Sequence, residues 1–372
     1  MKSENDSFDA SFSVSWTHRV RFTNNACTDG TLDAIFETLA PLKVLPVIDY
    51  GVHTCNPAFI ASLTTWFSEN PHMFSEPIIV EGGESAKNDM RVVDQVLAAI
   101  NDKNLCRRSC VLVVGGGAVL DAVGYATSIA HRGIPIVRMP STTLAQCDSG
   151  IGVKNAVNYF GKKNFIGVFD PPFAVVNDYR LLSSLDEQHW RSGLSEAVKV
   201  ALIKDGAFFN EIESCARLLV ARDAESMALV VKKSALLHLE HITSGGDPFE
   251  RLDARPLDFG HWSAHKLEQM TGHTLTHGEA VSIGLAIDLR CSVALGLLDD
   301  RVANRAVSLL QSLGLPTAHC DLLQDELIHG IEEFRQHLGG QLTLLMLKGL
   351  ANPVDVHALD ASIVRQAIDE LM

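Results

Sequence analysis

The segment "SCVLVVGGGAVLDAVGYATSIAHRG" (109–133) constrains the fold most: an unbroken apolar run stops at three consecutive glycines, and a helix-forming stretch follows at once. An apolar run without alternation reads as a strand buried on both faces, the mark of a parallel sheet covered by helices. The form recurs along the chain. "KVLPVIDYG" (43–51) is an apolar run ending in Asp49, and "PIIVEGGESAK" (77–87) passes through a glycine turn into a helix over "DMRVVDQVLAAINDKN". "IPIVRMPST" (134–142) adds a strand, and "HRVRFTNNAC" alternates as an edge strand does. Strands alternating with helices predict a parallel α/β sheet.

After about residue 180 the texture changes to long amphipathic stretches, among them "WRSGLSEAVKVALIKD", "ESMALVVKKSALLHLEHI" and "GEAVSIGLAIDLRCSVALGLL". These predict a mainly helical second half. A chain of 372 residues also exceeds the roughly 250–300 at which a single core stops growing. The expected organisation is a loose extension over 1–15, an α/β domain over 16–180 and a helical domain over 181–372, with ligands in the crevice between the domains. A composition of 47% hydrophobic and 20% charged residues excludes a disordered chain. The net charge of −14 argues against an extended nucleic-acid surface, so an anionic substrate must meet local cations. No apolar run reaches the ~20 residues of a membrane span, and "MKSENDSFDASFSVSW" lacks a signal-peptide core, so the cytoplasm is the expected location. The eight cysteines form no CxxC pair, which fits reduced thiols.

Chemistry concentrates in three places. Gly115, Gly116 and Gly117 lie between strand and helix with Asp121 one turn in. Such a turn lets a pyrophosphate approach the backbone and the helix N-terminus, although a tight turn without ligand has the same pattern. Asp49 suits either ribose hydroxyls or helix capping. "GVKNAVNYFGKKNFIG" (152–167) collects Lys154, Lys162, Lys163, Asn158 and Asn164 in an acidic protein, with Arg132 and Lys199 in neighbouring segments. That set suits a phosphate or carboxylate, and equally a solvated basic loop.

The third place is "DFGHWSAHKLEQMTGHTLTHGEA" (258–280), with His261, His265, His273 and His277. On one continuous helix His261 and His277 would stand roughly 24 Å apart, at about 1.5 Å per residue, and could not share a metal. Gly272 and the threonines of "MTGHTLTHG" predict a break, with His277 opening a second helix. Two helix starts then offer a histidine each, and a carboxylate such as Glu196 completes a His₂Glu set with open positions. HxxxH without the glutamate of HExxH is not the metalloprotease motif.

The ordered set GGGAVLD, RGIPIVRMPSTTLAQCDSGIGVK, GKKNFIG, SEAVK, GHWSAH and HGEAVSIG, between about residues 43 and 350, resembles the sugar phosphate cyclase superfamily, whose best-known member is 3-dehydroquinate synthase. The resemblance implies an N-terminal Rossmann-like NAD-binding α/β domain, a mainly helical C-terminal metal-binding domain, and a homodimer. It implies Glu196, His261 and His277 as metal ligands, for zinc or cobalt with nickel and iron also compatible. His265 matches an active-site histidine beside the metal, and His273 matches no functional position. NAD contacts are implied at Asp49, Glu84, Lys87, Gly116, Gly117, Asp121, Thr142, Thr143 and Asp148. A substrate cradle is implied at Arg132, Asp148, Lys154, Lys163, Asn164 and Lys199. The implied reaction oxidises a ring hydroxyl transiently, eliminates phosphate with the substrate phosphate as base, returns the hydride and closes a carbocycle by intramolecular aldol addition.

The run "ARPLDFGHWSAHKLE" with "EEFRQHLGG" is similar to the branch acting on sedoheptulose 7-phosphate, the 2-epi-5-epi-valiolone synthase type. Counting back from His261, three residues that help 3-dehydroquinate synthase bind its substrate, including the carboxylate, correspond to Glu240, Ala254 and Asp258. Acids there repel a carboxylate and accept hydrogen bonds from hydroxyls. Arg335 and His337 are expected to replace a phosphate-binding lysine. "VKNAVNYFGKKN" departs from the "KTGVN" form of that branch. The alternatives are 3-dehydroquinate synthase itself, a metal-dependent polyol dehydrogenase of the glycerol dehydrogenase type, and a cyclase fold kept as a non-catalytic scaffold.

Overall fold

The computed structural model describes residues 7–71, 73–245, 249, 256–272, 274–337 and 340–372. Six parallel strands form one sheet: β1 (Arg19–Thr23), β2 (Val44–Asp49), β3 (Ile78–Val80), β4 (Cys110–Gly115), β5 (Ile136–Pro140) and, after a hairpin, β8 (Ala174–Asp178). Their order is β1-β8-β5-β4-β2-β3, which leaves β1 on the edge. β2 and β4 are buried along their whole length, as their unbroken apolar runs require. Alternate residues face opposite sides: Leu45, Val47, Val111 and Val113 pack with Val93, Val96, Val119 and Val123, whereas Val44, Ile48, Leu112 and Val114 pack with Leu32, Phe36, Phe59 and Leu63. Helices on both faces complete three layers.

The basic segment 152–167 is not a loop. Lys154–Tyr159 (β6) and Lys162–Phe169 (β7) form an antiparallel hairpin in which Tyr159 pairs with Lys162. The two turn residues, Phe160 and Gly161, have φ of 53° and 71°, the geometry that matches the twist of flanking strands. Glycine adopts this freely, but phenylalanine does not, so the turn was hard to read from the chain.

The second half is helical apart from a small antiparallel pair, Leu344–Gly349 and Asn352–Val356. The helix Leu194–Lys204 runs through its interior, with every residue from Leu194 to Ile203 buried. A helix enclosed on all sides can place a charged side chain away from water only where other charges meet it. The segment after β5 joins the two halves: Ser234 Oγ donates to the Cys147 carbonyl at 3.3 Å, and His238 Nδ1 stands 2.9 Å from Asp148 Oδ1. Among the described residues no helix is long and apolar enough to cross a membrane.

Candidate metal and dinucleotide site

Three helix starts converge on one point. Glu196 sits in the first turn of the helix Leu194–Lys204, His261 opens the helix His261–Met270, and His277 opens His277–Ala294. The last begins with a capping box, Thr276 and Glu279 satisfying each other's backbone N–H groups, which fixes His277 as the first helical residue. Gly260 precedes His261 at φ +78°, and a Cβ there would lie 2.7 Å from the Leu285 nitrogen. Only glycine lets the His261 helix start so close to its neighbour.

The donors of Glu196, His261 and His277 lie within 4.8 Å of one another. His277 Nε2 is 3.5 Å and His261 Nε2 3.7 Å from Glu196 Oε1. Each ring holds an acceptor at its other nitrogen: the Phe259 carbonyl lies 3.1 Å from His261 Nδ1, and Glu268 Oε2 lies 3.2 Å from His277 Nδ1. This sets the tautomer that presents Nε2 to an ion. Glu196 is fully buried, and among the described residues neither oxygen accepts a well-directed hydrogen bond, although Lys199 Nζ stands 2.5 Å from Oε2. A buried carboxylate short of donors, facing two imidazole nitrogens, fits a divalent cation.

Charges around this point are strongly coupled. Burial, then Lys199 and His277, hold His261 well below the ordinary histidine range, and burial with Lys163 does the same to His265. Both rings are therefore neutral, as a ligand or a proton carrier must be. Burial opposes charge on His277, but Glu268 outweighs it and raises the pKa to about 9. Lys199 is likewise disfavoured by burial yet raised by Glu196 and Asp148. Burial pushes Asp148 up, and Lys199 with His238 reverses this, holding it far below the usual carboxylate range.

The glycine turn lies across the carboxyl edge of the sheet. Gly116 caps the helix Gly117–Ile129 and, having no side chain, leaves the first N–H groups of that helix without a capping side chain. Asp49 ends the neighbouring strand and accepts from Gly51 N at 2.7 Å and Gly116 N at 3.5 Å. It is thus a helix cap, and burial raises its pKa. Lys87 bridges Asp121 Oδ2 and Asn164 Oδ1, both at 2.5 Å, and Glu84 accepts from Asn158 Nδ2 at 3.0 Å. Thr142 Oγ1 accepts from Ala145 N at 3.2 Å, whereas the buried Thr143 hydroxyl has no hydrogen-bond partner among the described residues. Gly115 and Asp49 end their strands, and Gly116, Gly117, Glu84, Lys87, Asp121, Thr142 and Thr143 follow the carboxyl ends of strands, where such sheets bind ligands.

Family models agree with this layout: the N-terminal domain of 3-dehydroquinate synthase matches residues 77–192 and its C-terminal domain matches 193–335. The chain belongs to the 3-dehydroquinate synthase family. Family relatives include a 2-epi-valiolone synthase of Actinosynnema mirum, 34% identical over 297 residues, covering 78% of this chain and 77% of that protein. A 3-dehydroquinate synthase of Halorhodospira halophila is also 34% identical, over 280 residues, covering 75% and 78%. The solved 2-epi-5-epi-valiolone synthase of Streptomyces hygroscopicus, with NAD+ and Zn2+ bound, superimposes with a TM-score of 0.88 at 28% identity, covering 98% of this chain and 99% of that one. A 2-deoxy-scyllo-inosose synthase shares the fold at a TM-score of 0.77 and 20% identity.

Not every residue that the family resemblance implied reaches the site. Arg132 is exposed just past the far end of the helix Gly117–Ile129, away from the glycine turn, and does not join the cluster within this chain. Glu240 is also exposed, whereas His238 is buried against Asp148. An offset counted back from His261 does not fix helix phase, and Glu240 falls on the outward face of the helix Ala224–Ser244. Arg335 is paired locally, with Glu332 Oε1 at 2.5 Å and the Gly340 carbonyl at 2.7 Å. His273, Ala254 and the His337 side chain lie outside the described residues. Asp258 is half-buried on the turn entering the His261 helix and contributes to the field at Lys199. Lys154 is exposed at the start of the hairpin, and His265 stacks on His277 with ring centroids 5.9 Å apart.

Two site residues escaped the sequence reading. Glu268 shares a helix face with His261 and His265 through i, i+4, i+7 spacing, a signal the sequence carried. His238 follows the buried positions Val231, Ser234 and Ala235 and precedes Ile242, so apolar periodicity also marked it as inward.

Proposed function

We propose that the chain is an NAD- and divalent-metal-dependent cyclase that converts a ketose phosphate, sedoheptulose 7-phosphate, to a carbocycle with loss of phosphate, in the manner of 2-epi-5-epi-valiolone synthase. The observation that carries the substrate choice is Asp258: a half-buried carboxylate on the turn entering the His261 helix, near enough to Lys199 to act on its charge. A substrate carboxylate would be repelled there, whereas a hydroxyl would find an acceptor.

Glu196, His261 and His277 would hold a divalent ion, zinc or cobalt, and the glycine turn would hold NAD; when bound, these groups would supply polarisation of a ring hydroxyl and reversible hydride transfer. The residues of the chain supply the rest. Lys199, paired with Glu196 and held charged by Glu196 and Asp148, offers positive charge where an alkoxide or enolate oxygen develops. His265, kept neutral, can hold or pass a proton beside His277. Lys154, Lys163 and Asn164 on the hairpin would hold the phosphate, and Asp148 with His238 would orient Lys199 and the substrate hydroxyls.

The alternative, 3-dehydroquinate synthase, has the support of a relative of equal identity. Both are tested by incubating the protein with NAD, metal and a panel of phosphorylated ketoses while following phosphate release, product mass and NADH. Sedoheptulose 7-phosphate should yield phosphate and a carbocycle with no net NADH. Release only from the carboxylated heptulosonate phosphate would establish the alternative, and net NADH would indicate a dehydrogenase.

A further inference from the structure

Glu268 is 3% exposed and divides its two oxygens between partners from different halves of the molecule. Oε2 lies 3.2 Å from His277 Nδ1, and Oε1 lies 2.5 Å from Lys163 Nζ on the hairpin. His277 turns its other nitrogen, Nε2, to Glu196 at 3.5 Å. A continuous path therefore runs from the hairpin cation through one carboxylate and one imidazole to the centre where a metal would sit. His265, Glu268 and His277 also bring donors within 4.8 Å of one another. A second ion there would face the Lys163 ammonium already on Glu268, so the geometry favours a positioning role over a second metal site.

We infer that Glu268 is a positioning residue that holds His277 for metal binding and couples the strength of that hold to Lys163. The inference rests on the proposed metal site and on Lys163 as a phosphate-holding group. A carboxylate that accepts an imidazole N–H fixes the ring and makes the opposite nitrogen a better donor. Lys163 on the same carboxylate withdraws part of that effect. When a phosphate draws Lys163 away, the full charge of Glu268 faces His277. Phosphorylated ligand and metal then strengthen each other's binding, as linkage requires.

The test is a double-mutant cycle read in metal affinity, on the full chain without NAD or sugar. Zinc affinity is measured by competition with a chromophoric chelator, and cobalt binding by its visible absorbance. Glu268→Gln, which keeps the shape and loses the charge, should weaken zinc binding about 10- to 100-fold. Lys163→Met should tighten it at least about fivefold with Glu268 present, and change it by less than about twofold in the Glu268→Gln background. Equal tightening in both backgrounds would mean a through-space effect of Lys163 alone and would overturn the coupling. Unchanged zinc affinity in Glu268→Gln would overturn the positioning role. Should Glu268→Gln fail to fold, the single Lys163→Met variant still decides, since unchanged or weaker zinc binding there contradicts the inference. Wild-type zinc binding that His277→Ala leaves intact would remove the metal site itself, and this inference with it.

Discussion

Lys199 Nζ stands 2.5 Å from Glu196 Oε2, one turn away on a helix whose interior residues are all buried. Breaking such a pair leaves a charge in the core without compensation, at a cost of about 3–5 kcal/mol. Lys199→Met should destabilise the protein by that amount and abolish turnover. Glu196→Gln should also abolish turnover but leave NAD binding largely intact, because the glycine turn belongs to the other half of the molecule. The double variant should regain part of the stability and none of the activity. Urea unfolding and NAD titration check each point, and additive losses in the double variant would refute the pairing.

Gly260→Ala should cost more than Gly272→Ala, although both glycines have positive φ. At Gly272 a Cβ meets nothing within 4 Å among the described residues, so only backbone strain of about 1–2 kcal/mol applies. At Gly260 the Cβ also falls 2.7 Å from the Leu285 nitrogen, which adds about 1–3 kcal/mol. Urea midpoints of the two variants give the comparison, and only the Gly260 variant should also lose metal affinity.

Asp288 gives a pH signature. It is 1% exposed and accepts from Gly260 N and Trp262 Nε1, each at 2.8 Å, while burial raises its pKa from 3.8 to about 7. The folded protein thus binds this proton more tightly than the unfolded chain does. Stability from this group is greatest below about pH 4, falls as pH rises towards about 7, and is level above, by a few kcal/mol in all. Unfolding free energies measured across that range should show the fall, and Asp288→Asn should flatten it.

Asp258→Asn should relax discrimination against a carboxylated substrate. Removing one nearby charge is worth about 1.4 kcal/mol or more in a partly dry site, so relative kcat/KM for heptulosonate phosphate over sedoheptulose 7-phosphate should rise at least about tenfold. An unchanged ratio would remove Asp258 from the specificity argument.

The parallel sheet was legible because β2 and β4 are apolar without interruption, a pattern that survives with no partner in view. The break between the histidine helices was legible for a similar reason: Gly272, Thr276 and Glu279 carry the stop and start signals locally. The hairpin was not, since Phe160 occupies a conformation its own chemistry disfavours. Nor was the exposure of Glu240 legible, because an offset counted along the chain does not say which face of a helix a residue occupies.

What the sequence determined by itself was local: element type, helix starts, the glycine turn and the residue types able to bind a metal, a dinucleotide and a phosphate. Tertiary structure alone decided which of these meet. Glu196 is separated from His261 by 65 positions (261 − 196), yet their donors share a space of 4.8 Å with His277. Glu268 became the link between hairpin and metal centre only when Lys163 closed onto it from the other half of the molecule. Contacts of that kind depend on the direction in which each packed helix faces, which is fixed by burial of the whole core and not by any neighbouring residue.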